Sequence, residues 1–111
     1  MTEGICPSGW HIPSDGEFTE LTDFLGGESV AGYAMKQEGG MNGSNSSGWS
    51  GLPGGGRFSG GFSYNGNGGD WWSASESGSN CWLRGLNYGN VGVYRYNDYR
   101  YYGFSARCVR D

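Results

Sequence analysis

The chain has one histidine, one lysine, three prolines and three cysteines in 111 residues, and each shortage removes a class of function. Cys6, Cys81 and Cys108 show no CxxC spacing, and His11 has no Cys or His close by to complete a ligand set. A zinc site is therefore not expected, and no cofactor is implied. Lys36 and six scattered Arg are too few to neutralise a run of phosphates, which argues against a nucleic-acid partner. No apolar run approaches the length of about 18 residues that a spanning helix needs, so direct membrane insertion is not expected. The first residues also lack the apolar centre of a signal peptide, so any targeting segment is expected outside this stretch. Charged residues make up only 16% of the chain. Its polarity comes from Ser, Asn and Gly instead.

What is abundant is glycine together with aromatics: 24 Gly beside five Trp, eight Tyr and five Phe. Glycine alone would point to disorder, but disordered chains are poor in the large side chains that offset ordering entropy. At this length one domain, 1–111, with one core is expected. The net charge of −4 conceals a gradient. Residues 1–38 hold seven acids and one Lys, whereas 81–111 hold five Arg and two Asp. Cys6 and Cys108 lie near the two ends, which often meet in compact domains. Two readings stay open: a Cys6–Cys108 disulfide with Cys81 left over, or three reduced buried thiols.

Along the chain, Pro7 and Pro13 hold the opening segment extended. Ser14 and Glu17 then form a capping box, and Phe18, Leu21 and Leu25 recur at helical spacing before Gly26-Gly27. This predicts a helix over about 15–25. A second, shorter one is expected over 29–37, burying Val30, Tyr33 and Ala34. Residues 39–70 carry 13 Gly in 32 positions, with Trp49, Leu52, Phe58 and Phe62 as anchors for an ordered loop. Strands are expected at 71–75, 81–88, 91–96 and 102–109. In the last, Tyr102, Phe104, Ala106 and Cys108 alternate with the residues between them. The order of elements, two N-terminal helices followed by a small antiparallel sheet, is an α+β arrangement.

Four stretches occur in a telling order: Cys6 to Ser14, Leu52 to Arg57, Trp71 to Glu76, and Gly103 to Arg110. In them the chain resembles the Fibrobacter succinogenes major paralogous domain, over Gly4 to Asp111. The resemblance implies a C-type-lectin-like fold with long Gly-rich ordered loops. It also implies a cell-surface or extracellular setting in gut Bacteroidetes, with Arg57, Arg84 and Arg107 as scaffold positions. The segment 84–102 is similar to the rewritten region of variable proteins in diversity-generating retroelements, where template adenines in Asn codons can yield Tyr, Asp, Ser, Gly or Arg. It contains six of the eight Tyr and three Asn, and none of the Lys, Glu, Gln, Met or Trp that such rewriting cannot produce. A phage virion is the alternative setting.

Tyr94, Tyr96, Tyr99, Tyr101 and Tyr102 cannot all face inward on a period of two, so several must be exposed. Such a surface has the composition of an antibody paratope, in which Tyr supplies rigid contact area and Asn and Gly adapt. The candidate ligand-binding residues are Asn87, Tyr88, Asn90, Tyr94, Tyr96, Asn97, Asp98, Tyr99, Arg100 and Tyr101. They are expected on one contiguous face, with Arg95 a further candidate. Leu86, Val93, Phe104 and Cys108 are expected to hold the backbone from within. Trp49, Trp71, Trp72 and Trp82 are assigned to the core or its rim. The expected partner is a protein or glycan, bound by a monomer. One alternative is a calcium-dependent lectin, but the sugar-binding tripeptides of that class are absent and Asn97-Asp98 is the only echo of them. The remote alternative, catalysis like that of formylglycine-generating enzymes, lacks a basic neighbour to activate Cys81, so no enzyme activity is expected.

Overall fold

Ser14 ends the extended opening segment and starts a helix by capping it. Its hydroxyl accepts from the Glu17 amide at 3.1 Å, and the Glu17 carboxylate accepts from the Ser14 amide at 2.9 Å. Donors that the chain leaves unpaired at a helix start are thereby satisfied. Helix α1 (Asp15–Phe24) stops where Gly26 and Gly27 take φ of +106° and +104°, a region costly for other residues. Phe18 and Thr22 point into the core, with Leu21 and Leu25 packed at its edge.

The computed structural model describes residues 5–39, 41–52, 54–58, 61–63, 68–99 and 102–111. Among the sequence-based candidates, Arg100 and Tyr101 lie outside the described residues, as do the side chains of Arg57, Phe58 and Phe62.

Helix α2 (Ala31–Met35) is shorter than the expected 29–37 and buries a different face. Ala31, Gly32 and Met35 are enclosed, while Val30 and Tyr33 are each about half exposed at 48% and 49%. The reason is a close backbone approach. The Tyr33 amide donates to the Val91 carbonyl and the Val93 amide to the Glu28 carbonyl. A Cβ at Gly32 would collide with the Gly92 carbonyl. The loop after α2 is ordered by bonding to its C-terminal carbonyls: Ser44 N to Tyr33 O, Ser47 N to Ala34 O and Gly51 N to Met35 O. Met41 and Trp49 anchor this loop in the core, but Leu52, expected as an anchor, is 55% exposed.

The strands form three separate antiparallel ladders. β1 (Trp10–His11) pairs with β7 (Val109–Arg110), and β2 (Gly56–Phe58) pairs with β3 (Gly61–Ser63). β4 (Gly68–Ser77), β5 (Asn80–Asn87) and β6 (Tyr94–Tyr99) make a three-stranded sheet in that order. This corrects the expected α+β, C-type-lectin-like fold. The described residues form mainly small antiparallel sheets, with two short helices of 10 and 5 residues beside them. The expected strand over 102–109 is also corrected, since only Val109 and Arg110 join a ladder there. Residues before them run beside β4 and touch it around Ser105, which exchanges hydrogen bonds with Asp70 and Trp72. The alternation read there reflects half-buried side chains such as Phe104, whose ring centroid lies 4.7 Å from that of Trp72.

One side of the three-stranded sheet contributes Trp71 and Leu86 to a core with Phe18, Met35, Met41, Trp49 and Val93. On the other side Trp72, Cys81 and Leu83 are covered by Tyr96, Tyr102 and Phe104. The ends are joined by a Cys6–Cys108 disulfide with Cα atoms 5.8 Å apart, while Cys81 is buried and takes no part in a disulfide.

His11 ties this closure to α1. Its Nδ1 lies 2.6 Å from Asp111 Oδ1, and its Nε2 lies 2.9 Å from Glu17 Oε2. The Glu17 contact, followed by that of Asp111, raises the His11 pKa above 6.5. A raised folded value stabilises the fold fully below about pH 6.5, and that contribution is lost as pH rises through the folded value. His11→Gln is therefore expected to flatten the melting temperature between about pH 6 and about pH 9. Equal slopes in parent and variant would refute the assignment.

Candidate functional site: the edge strand and its cleft

β6 is the outer strand of its sheet, and among the described residues no strand pairs with its far edge. Its register against β5 sets Tyr94 opposite Gly85, Arg95 opposite Arg84, Tyr96 opposite Leu83 and Asn97 opposite Trp82. Side chains alternate across a strand, so Tyr94, Tyr96 and Asp98 share a face with Asp70 and Trp72. Arg95, Asn97 and Tyr99 share the opposite face with Trp82 and α1. The expectation of one contiguous face is thus corrected: a two-sided strand divides the candidates.

On the α1 side, Arg95 belongs to the scaffold. Its Nε and Nη2 reach the Asp15 carboxylate at 3.0 and 2.8 Å, and its guanidinium sits 3.8 Å from the Trp82 ring centre. Arg95, ahead of Arg84, holds the Asp15 carboxyl below its ordinary value. Asn97 accepts from Asn80 Nδ2 at 2.9 Å and is exposed, as is Tyr99. Arg84 and Arg107 both serve the scaffold, Arg107 by donating to the Trp49 carbonyl at 2.8 Å.

The turn between β5 and β6 is built by its asparagines. Asn87 Oδ1 accepts from the Gly89 amide and Asn90 Oδ1 from the Gly92 amide, each at 2.9 Å, the local bonding that suits Asn to turns. Beneath it Lys36, only 1% exposed, donates from Nζ to the carbonyls of Asn87 and Asn90 at 2.9 and 2.6 Å. Burial lowers the Lys36 pKa. The lysine fixes the turn from within and leaves Tyr88, Asn87 and Asn90 exposed above it. Of the expected inner supports, Leu86 and Val93 are buried, whereas Phe104 and Cys108 are half-buried.

On the other face Tyr94, Tyr96 and Asn87 surround a cleft of about 310 Å³ whose remaining wall includes Asp70 and Gly85. This is near the small end of ordinary ligand pockets, about 300–1,000 Å³. Asp70 is 7% exposed and accepts from the Tyr96 hydroxyl at 2.6 Å. Burial lifts its carboxyl above the usual carboxylate range. A Cβ at Gly85 would lie 2.7 Å from Asp70 Oδ1 and 3.4 Å from the Tyr96 ring, so the missing side chain keeps the cleft open. Tyr96 is half-buried because it packs on the Trp72–Leu83 cluster as well as lining the cleft. Sequence reasoning did not single out Asp70. Its signal was there: it stands two residues before Trp72 and so shares that residue's face of a strand.

The class defined by these features is a small disulfide-closed β domain with an acid-floored cleft beside a tyrosine-bearing edge strand. The chain belongs to the Fibrobacter succinogenes major domain family, whose model matches residues 1–110. No curated protein and no solved structure matches it. Among the described residues no helix is long and apolar enough to cross a membrane, and no group of three or more His, Cys, Asp or Glu could hold a metal ion.

Proposed function

We propose that this chain is a non-enzymatic ligand-binding domain that recognises a protein or glycan through its edge strand and the 87–93 turn. We further propose that 84–102 is the diversified segment of a retroelement variable protein, borne on a cell surface or a phage virion. One observation carries the reading: Tyr88, Tyr94 and Tyr99 are each about half exposed, at 47%, 48% and 47%. The turn that carries Tyr88 is held from outside the segment by Lys36 and Glu28, and Leu86 and Val93 anchor the backbone in the core. Surface side chains on an independently fixed backbone can change without disturbing the core. Their type suits recognition, since Tyr gives large contact area with few rotatable bonds. Catalysis draws no support from the two usual candidates: the Cys81 thiol is buried with Trp72 and Leu83, and His11 is engaged by two carboxylates.

Tyr94→Ala and Tyr99→Ala are expected to change stability by no more than about 0.5 kcal/mol. Each should weaken a ligand selected by surface display by more than about 1 kcal/mol. Leu86→Ala, at 3% exposure, should instead destabilise by about 2–5 kcal/mol. Paired melts and binding curves decide it, and tyrosine variants that unfold, or that bind unchanged, would overturn the reading. For the retroelement, the expected companion is a nearby imperfect repeat of the DNA coding for 84–102, differing at adenines.

A further inference from the structure

Resting on the recognition reading of this surface, we propose that the cleft beside β6 takes an organic cation, a primary ammonium or guanidinium group on an apolar stem. Asp70 would be its counter-ion, with Tyr94 and Tyr96 as its walls. Three observations converge on that chemistry. First, Asp70 is more than nine-tenths buried yet borders the cleft, and Tyr96 donates to one of its oxygens. Among the described residues no second donor reaches it, so acceptor capacity remains for a ligand proton. Secondly, the described residues of the cleft include no basic side chain, while Asp98 further along β6 adds negative potential at Asp70. An anion would be repelled, and a neutral group would leave the carboxylate uncompensated in a poorly hydrated site. Thirdly, the walls are tyrosine rings, and aromatic faces attract desolvated cations while accepting an alkyl stem. Burial raises the Asp70 carboxyl above its ordinary value, a perturbation typical of groups at binding sites.

The test is a titration of ¹⁵N-labelled protein with n-butylammonium chloride and with methylguanidinium chloride, against 1-butanol and sodium butyrate at matched ionic strength. Both cations are expected to shift the amides of Gly69 and Gly85 and to bind at least about tenfold more tightly than butanol or butyrate. Asp70→Asn keeps an acceptor for the Tyr96 hydroxyl and removes the buried charge. It should melt no lower than the parent and lose at least about tenfold in cation affinity. A second measurement needs no variant. Among the described residues, Tyr94, Tyr96 and Asp98 from β6 and the uncharged Gly85 and Asn87 from β5 lie on the Asp70 side. Cation binding should therefore weaken as acid protonates Asp70, beginning above the usual carboxylate range. Butanol or butyrate binding as tightly as the cations, or Asp70→Asn titrating like the parent, overturns the inference. If display-selected ligands still depend on Tyr94 and Tyr99 in that case, the recognition reading stands alone. If the cations bind as expected but selected ligands ignore both tyrosines, the recognition reading falls and the cleft chemistry remains.

Discussion

Replacing Cys6 and Cys108 together by Ser is expected to destabilise the domain by about 2–5 kcal/mol, from a total that for a domain is commonly about 5–15 kcal/mol. The bridge spans 102 positions of sequence, so the loop it closes is nearly the whole chain. In the chain-entropy account a loop of about 100 residues is worth close to 5 kcal/mol, the upper end of that range. Besides the bridge the ends meet through the His11–Asp111 contact and one short ladder. β1 and β7 pair over two residues each, a ladder far shorter than those usually stable alone. The double variant is the right comparison, because a single replacement leaves a thiol free to exchange with Cys81. Urea melts of parent and variant give the difference. The variant should also lose the Asp111 part of the pH dependence assigned to His11, since Asp111 reaches that imidazole only while the ends stay closed, and keep the larger part due to Glu17. A loss below about 1 kcal/mol, with the pH dependence intact, would show that the packed ends do not need the bridge.

Features that depend on a few neighbouring residues were legible in the sequence. The Ser14–Glu17 box and the Gly26-Gly27 stop delimit α1 because both act within one turn of backbone. Features decided by what lies across the fold were not. Val30 and Tyr33 read as the buried face of the second helix, but the face that counts is small, since the 87–93 turn must approach Gly32 closely. Tyr102 to Val109 alternates like a strand, yet its neighbour β4 offers it contacts only around Ser105. The tyrosine-rich window was readable as a partly exposed segment. How it divides between two faces follows from the register of Tyr94 against Gly85, which no local pattern encodes. The same register turns Arg95 from a ligand candidate into a clamp on Asp15, and it sets Asp70 against Gly85 and Tyr96.

The other large effect is expected at Arg84, one of five C-terminal arginines and one of the three that the family resemblance gives as scaffold positions. Its side chain is 1% exposed and joins β5 to α1. Nη1 donates to Asp15 Oδ1 at 2.7 Å, while Nη2 donates to the Asp15 carbonyl at 3.1 Å and to Thr19 Oγ1 at 3.2 Å. The guanidinium also lies 5.3 Å from the centre of the Phe18 ring. Arg84→Ala would leave a cavity beside Phe18 and remove the donors to Asp15 and Thr19, at a cost of about 3–5 kcal/mol. Arg84→Met fills most of that volume with apolar atoms, and Asp15 keeps Arg95 as its partner. Methionine should therefore cost at least about 1 kcal/mol less than alanine. Acid separates charge from packing. A depressed Asp15 pKa contributes stability that is full above the ordinary value of 3.8 and is lost as pH falls through the folded value. The Arg95 hydrogen bond is the first cause of that depression, so Arg84→Met should retain part of the acid sensitivity due to Asp15 and Arg84→Met with Arg95→Met should lose that part. Denaturant melts at neutral and acid pH read both quantities. An Arg84→Ala variant within about 1 kcal/mol of the parent would mean that the helix does not depend on this arginine for its seat on the sheet.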